Sequence, residues 1–558
     1  MTETMADRIW RGGWRAPLFA ALVALAAAVP GLLAMPVLDR DEARFAQASA
    51  QMVETRDPVS INFQDQMRAK KPVGIYWLQS LSVAALSTVE SRQIWAYRLP
   101  SLLGAMAAAA ACAWGAAAFL GSRGGAIAGS VLGACLLLST EAFIAKTDAA
   151  LCGAVTVMMA ALARIYAAER GEAAAGAGTR VLFWLGLALS ILLKGPIGPM
   201  VAGLTIAVLW IWDRGAPWLA RIGWSWGPAL VLLLVGPWAL AVTVATDGAF
   251  WTGAVMGDMV SKLGAGQESH GAPPGLHLIL TPLLLFPATV LLPAGLANAW
   301  KARDQTWVRF AICWLAPSWI LFEVAPTKLP HYTLPLYGAL AWLIAGALAQ
   351  PTGRISRFVG AALGVLAASA LAAAGLVLAL RYGDASSLAW AVMSAALLGA
   401  AGVCALVLIL FNRRSVTALA AASGLGLLAH DALAAGLAPS LKSLWISDRV
   451  EAAIRRAGLD PRNGVVPGPI GVAGFAEPSL VFRLGTRTEL GDAETAALAI
   501  ADGRPAIVEA GQLHPFRAAL AAEEGHAALA GEVRGFNYSK GKPVDLFLYR
   551  SLESGGAQ

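Results

Sequence analysis

Charge is what this chain has least of. Asp, Glu, Lys and Arg together make up 14% of its 558 residues, against a hydrophobic share of 58%. A soluble globular chain carries about 25% charge and about 45–50% apolar residues, so a soluble enzyme, a fibrous protein and a disordered chain are excluded. Cysteine is scarce too. The five present (Cys112, Cys135, Cys152, Cys313 and Cys404) lie in or beside apolar runs without metal-ligand spacing, which excludes a disulfide framework. An aromatic-studded basic stripe is also missing. The formal charge is +7, yet the basic residues stand singly or in twos and threes between apolar runs, which speaks against nucleic acid as a partner. No internal repeat recurs at a fixed period. No cleavable signal peptide is expected, because the run after Arg8, Arg11 and Arg15 is long enough to stay as a span.

Long apolar runs are what the chain has in abundance. They fall near 17–35, 97–119, 124–142, 148–168, 180–193, 196–212 and 225–246. Others follow near 276–298, 308–325, 332–349, 355–380, 387–411 and 415–436. At roughly 20 residues per crossing, this predicts a polytopic α-helical membrane protein with about 13 transmembrane helices. The shortest run ends at Lys194-Gly195-Pro196, a natural break. Basic residues crowd alternate loops (Arg123; Arg164, Arg170 and Arg180; Arg214 and Arg221; Lys301, Arg303 and Arg309; Arg354 and Arg357; Arg413 and Arg414). Positive charge stays inside, so the N-terminus is predicted in and the C-terminus out. Tryptophans at span ends, Trp10, Trp14, Trp95, Trp212, Trp224, Trp238 and Trp300, suit the membrane interfaces.

Three longer segments fall on the outer side: 36–96, 247–275 and the tail. The expected division is a transmembrane domain, 1–436, and a small α/β domain, 437–558, whose tail alternates short runs at 470–475, 479–484, 494–501, 506–509, 515–523 and 544–549.

The charged residues that do occur on the outer side gather at few places. One is Asp39-Arg40-Asp41-Glu42-Ala43-Arg44 and another is Arg68-Ala69-Lys70-Lys71-Pro72. A helix start needs one carboxylate at its cap, not a cluster of both signs. Arg44 and Lys71 suit a phosphate at the membrane surface, the one as a bidentate fork and the other as a point charge. Lys146-Thr147-Asp148, Lys194 and Thr327-Lys328-Leu329-Pro330-His331-Tyr332 lie at the same boundary, with Glu268 and His270 in the second long segment. Ionisable groups at that depth are costly, so several from different loops on one side favour a site over scattered caps.

Taken in order, Asp-Glu-Ala-Arg-Phe-Ala (41–46), Lys-Lys-Pro-x-x-x-Tyr-Trp (70–77), Tyr-Arg-Leu-Pro-Ser (97–101), Lys-Thr-Asp (146–148), Lys-Gly-Pro (194–196) and Thr-Lys-Leu-Pro-His-Tyr-x-Leu-Pro-x-Tyr (327–337) resemble a known superfamily. It is that of the polyprenyl-phosphate-dependent membrane glycosyltransferases of the C-type fold, especially the bacterial aminoarabinose-to-lipid-A transferases; protein mannosyltransferases are related. The resemblance covers roughly residues 15–440. It implies a sugar moved from an undecaprenyl-type phosphate to a lipid A or lipopolysaccharide acceptor, or to a protein hydroxyl, at the periplasmic face of a bacterial inner membrane, by a monomer. Asp41 takes the catalytic carboxylate's place, with Glu42 and Asp148 as further acidic positions. Arg44, Lys70, Lys71, Tyr76, Lys194, Lys328, His331, Tyr332 and Tyr337 are implied to bind the lipid phosphate or sugar. The resemblance fixes no cofactor requirement; a divalent metal would fall to His270 and Glu268. Relatives usually carry Glu where this chain has Lys70, which weighs against that metal and suits an acidic sugar such as a uronic acid.

Cations near a departing phosphate bind it more tightly as its charge grows toward two, the condition for accelerating the step. A carboxylate on the opposite face of the anomeric carbon can deprotonate an acceptor hydroxyl and give inversion. A secondary transporter and a lipid-phosphate-binding subunit without chemistry are the competing expectations. Transporters tend to place ionisable residues at the midplane and in paired repeats, whereas these lie at one face.

Overall fold

Alanine and glycine set how closely the helices of this protein approach. The computed structural model describes residues 13–260, 271–348, 353–411, 415–460 and 468–552. Helix α1 (Arg15–Ala34) buries Ala16, Ala20, Ala24, Ala27, Ala28 and Gly31. It lies along a 41-residue helix, which begins at Ile94 and ends at Ala134 and is numbered α4 below. A Cβ on Gly129 would sit 2.6 Å from that of Ala20. Inside a bilayer, where lipid is as apolar as leucine, such small-residue seams supply the contact that holds helices together.

After α1 the chain forms α2 (Asp41–Thr55), a two-stranded hairpin of β1 (Asn62–Phe63) and β2 (Gln66–Met67), and α3 (Gly74–Leu86). Next come α4 (Ile94–Ala134), α5 (Leu136–Glu141), α6 (Asp148–Ala168) and α7 (Ala177–Lys194). Helix α6 is the central post, with 89% of its span buried. It crosses α4 so closely that a Cβ on Gly153 would lie 2.5 Å from the Gly104 carbonyl oxygen.

Each of the thirteen predicted runs falls on helical structure. Among the described residues nine helices are long and apolar enough to cross alone, and the pair Leu276–Leu284 and Ala288–Lys301, bent by 115°, makes a tenth. The lower number has local causes. Helix α4 contains the run at 97–119 and most of the next, divided at Gly121 (φ 70°, ψ 171°), while Ile197–Asp213 and Tyr337–Ala347 are short.

Beyond residue 445 the chain builds a five-stranded sheet in the order β4-β3-β5-β7-β6. These are β3 (Gly471–Ala473), β4 (Glu489–Gly491), β5 (Ala506–Glu509), β6 (Ala527–Asn537) and β7 (Lys542–Ser551). β3 runs parallel to β4 and β5, while β7 pairs antiparallel with both β5 and β6. Helices Ile446–Arg456 and Pro478–Leu484 cover one face through Val450, Ile454 and Leu480, and Ala493–Ala501 and Leu513–Ala522 cover the other through Ala496, Ile500 and Phe516.

Candidate active site

The segment between α1 and α4 lies between the membrane body and the sheet domain. Helix α2 is why. It carries Glu42, Gln47, Ser49 and Gln51 as buried polar residues, which a lipid environment would not tolerate unpaired. Gln47 donates to Thr486 Oγ1 at 2.7 Å, and the Arg92 guanidinium ties Gln47, Glu54 and Thr486 together. Gln64 donates to the carbonyls of Thr486 and Thr488.

At the start of α2 two adjacent carboxylates part company. Asp41 is exposed. Glu42 is 1% exposed and grips Arg98 through both oxygens at 2.8 Å, while the amides of Leu38 and Ala145 donate to the same carboxylate. Arg98 spends its remaining donors on the carbonyls of Leu32, Met35 and Pro36. Every polar atom of the pair is satisfied, so Glu42, expected among the catalytic residues, is instead the rivet between α2, α4 and the approach to α6. Arg44 lies three residues on from Asp41, half-exposed, with no side-chain hydrogen bond or ion pair among the described residues.

The second basic group folds back toward α2. Lys70 is exposed; Lys71 is partly covered and donates to the Lys70 carbonyl at 3.0 Å. Tyr76 is buried, and its hydroxyl accepts from Arg68 Nε at 3.2 Å. Arg68 also lies over the ring of Phe45, Arg44's neighbour, at 4.9 Å. The lysines are brought to the end of α7 because Gly74 packs directly on it, where a Cβ would meet the Leu192 carbonyl at 2.7 Å.

There the third group begins. Lys194 donates to Asp148 Oδ1 at 2.5 Å and lies over the Tyr332 ring at 5.2 Å. Lys146 Nζ is 2.8 Å from Glu141, 3.6 Å from Asp148 and 3.3 Å from His331 Nδ1. The His331 ring in turn lies 3.6 Å from each carboxylate. Burial alone would lower the Lys146 pKa, but the charges of Glu141 and Asp148 outweigh it and hold the ammonium above its usual range, with a contribution from Asp41. His331 is pushed well below its usual value by burial, helped by the Lys146 and Lys194 charges against the pull of Asp148.

Glu141, Asp148 and His331 place one ligand atom each within 4.8 Å of one another, the spacing of a metal set. Lys146 pairs with Glu141 Oε2 and Lys194 with Asp148 Oδ1, so each carboxylate keeps its other oxygen on the side of His331. His270 and Glu268, the expected metal pair, lie outside the described residues.

Two expected binding residues have other partners. Lys328 is buried and donates to the carbonyls of Ala272 and Ala325, pinning the end of the second long segment, which also bridges from Gly271 to Thr327. Tyr337 is fully buried in its helix, stacked at 6.4 Å on Trp319. Residue patterns missed Glu141, concealed at the end of an apolar run, and gave no role to Arg68 of the second charged group, whose aim depends on Phe45 and Tyr76. A lone acid five residues before Lys146 was the available signal for the first.

No family model matches this chain. Among curated proteins it is 29% identical over 316 residues to the undecaprenyl phosphate-alpha-4-amino-4-deoxy-L-arabinose arabinosyl transferase of Pseudomonas paraeruginosa, covering 56% of this chain and 55% of that protein. It is 28% identical over 335 residues to the protein of the same name from Aeromonas salmonicida, covering 60% and 59%. The chain thus matches little more than half the length of these relatives. Among solved structures, ArnT from Cupriavidus metallidurans bound to undecaprenyl phosphate superimposes with a TM-score of 0.74 at 19% identity, over 97% of this chain and 99% of that one. Its apo form gives 0.73 at 20% identity, over 95% and 97%. The polytopic fold with its C-terminal sheet domain is therefore shared with ArnT.

Proposed function

We propose that this protein is a glycosyltransferase that takes a sugar from a polyprenyl phosphate and transfers it, with inversion, to a lipid A-type acceptor. The observation that carries this is the convergence of three separate chain segments, 41–44, 68–76 and 141–148 with 194 and 331, on one face of the membrane body. Similarity to relatives named for undecaprenyl phosphate-linked aminoarabinose supports the donor class, and ArnT bound to undecaprenyl phosphate supports the lipid. In this reading residues 1–436 are the catalytic membrane domain, 437–558 are its periplasmic domain, and the site opens to the periplasm from a bacterial inner membrane.

Arg44, Arg68 and Lys71 are the cations this reading assigns to the donor phosphate. The leaving group passes from one negative charge toward two, so they hold the transition state more tightly than the bound donor. Asp41, exposed at the start of α2, faces the reacting sugar. With a hydroxyl acceptor it is the general base; with an ionised phosphate acceptor it stabilises positive charge on the sugar carbon. Lys194, fixed by Asp148 and backed by Tyr332, and Lys146, fixed by Glu141, are preset cations whose reorganisation is prevented by their partners.

Purified protein in detergent, given synthetic undecaprenyl phosphate-linked aminoarabinose and lipid A, tests the proposal by mass spectrometry of the acceptor. Addition of one sugar supports it. Donor binding without transfer by wild type, under conditions where ArnT turns over, rejects it in favour of a lipid-phosphate-binding protein.

A further inference from the structure

The residues just ahead of Asp41 are held from outside the membrane body. Asp39 donates its backbone N–H to the Tyr538 hydroxyl at 2.7 Å, and Arg40 donates from its guanidinium to the Ser539 carbonyl at 2.7 Å. Both acceptors belong to the turn joining β6 to β7. Arg40 has φ 63° and ψ −95°, a conformation that non-glycine residues rarely adopt and that persists only where surrounding contacts enforce it. The turn is itself stiff. Asn537 receives the amides of Lys540 and Gly541, and its side chain donates to buried Glu477 at 2.8 Å. Tyr538 is braced edge-on by Trp445 at 5.9 Å. At its other end α2 is held by the Thr486 contacts.

We infer that the β6–β7 turn is a positioning element for the transfer reaction: Tyr538 and Ser539 hold Asp39 and Arg40 in a strained backbone, and so aim the Asp41 carboxylate. This rests on the proposed role of Asp41. Tyr538 and Arg40 are positioning residues, touching neither donor nor acceptor. A carboxylate displaced by about 1 Å can lose about a hundredfold in rate, whereas phosphate binding by Lys71, on a separate segment, does not pass through this contact.

The test compares full-length wild type with Tyr538→Phe, Arg40→Ala and Arg40→Lys in the detergent assay above, following kcat, donor KM and thermal unfolding. Tyr549→Phe, in the same sheet but packed on Phe516, is the control. The expected result is a kcat at least tenfold lower in Tyr538→Phe and Arg40→Ala, donor KM within twofold of wild type, unfolding temperature unchanged, and partial recovery in Arg40→Lys. Active wild type with unaltered kcat in Tyr538→Phe and Arg40→Ala overturns the inference alone, as does a kcat loss matched by a lower unfolding temperature. Wild type that transfers nothing overturns the functional proposal and this inference with it.

Discussion

Asp41 and Glu42 are adjacent, carry the same functional group and have opposite surroundings. Asp41→Asn is expected to retain donor affinity while kcat falls by about 10²–10⁴ if the acceptor is a hydroxyl; unchanged turnover in the detergent assay would remove Asp41 from the mechanism. Glu42→Gln leaves Arg98 buried without a counter-charge and is expected to cost on the order of 3–5 kcal/mol, seen as a lower unfolding temperature in detergent. A variant as stable as wild type contradicts the rivet assigned to it. The sequence alone could not separate these two acids, because Arg98 is 56 residues away and its meeting with Glu42 is a property of the helix packing. Lys70 is exposed on the neighbouring segment. If it selects for acidic donors, Lys70→Glu shifts the ratio of galacturonosyl to aminoarabinosyl transfer downward; an unchanged ratio disposes of the idea.

At the level of the element, the apolar runs were readable because a span needs length and apolarity, which are local properties. Depth of burial was not. Nothing in Asp148–Ala168 marks it as the central helix except its small residues, and those matter only because Gly104 of α4 lies opposite Gly153. Gly153→Leu is expected to force the two helices apart and lower both expression and unfolding temperature. Gly203→Leu, where a side chain meets open space, should be tolerated; equal behaviour of the two would refute the seam. β6 escaped notice for a physical reason: Gly531 and Gly535 interrupt its alternation, and its register slips between Leu529 and Gly531. The charged start of α2 was legible, but its docking on Thr486 was not, since the partner lies more than four hundred residues downstream.

Across the whole molecule, the join between sheet domain and membrane body should respond to pH. Asp39 is raised from 3.8 to about 6, chiefly by burial, with Glu477 and Asp448 adding repulsion against the hydrogen bonds from Ser479. Glu42 is neutralised nearby by Arg98, and Asp448 is paired with Arg483. The docked state therefore holds the proton more tightly than the undocked state. The contribution of Asp39 to docking is fully present below pH 3.8 and is lost as pH rises through 6, by on the order of 3 kcal/mol in total. Amide exchange in the β6–β7 turn should be slower at pH 5 than at pH 7.5 after correction for intrinsic rates, and Asp39→Asn should flatten the difference; identical protection at both pH values would argue against it. The burial of α6 has a consequence for redesign. Its side chains are enclosed on almost every side, so altering donor choice there means rebuilding the protein's centre. The exposed hairpin and turns around Lys70 offer a surface where mutational libraries can vary selectivity while the scaffold survives.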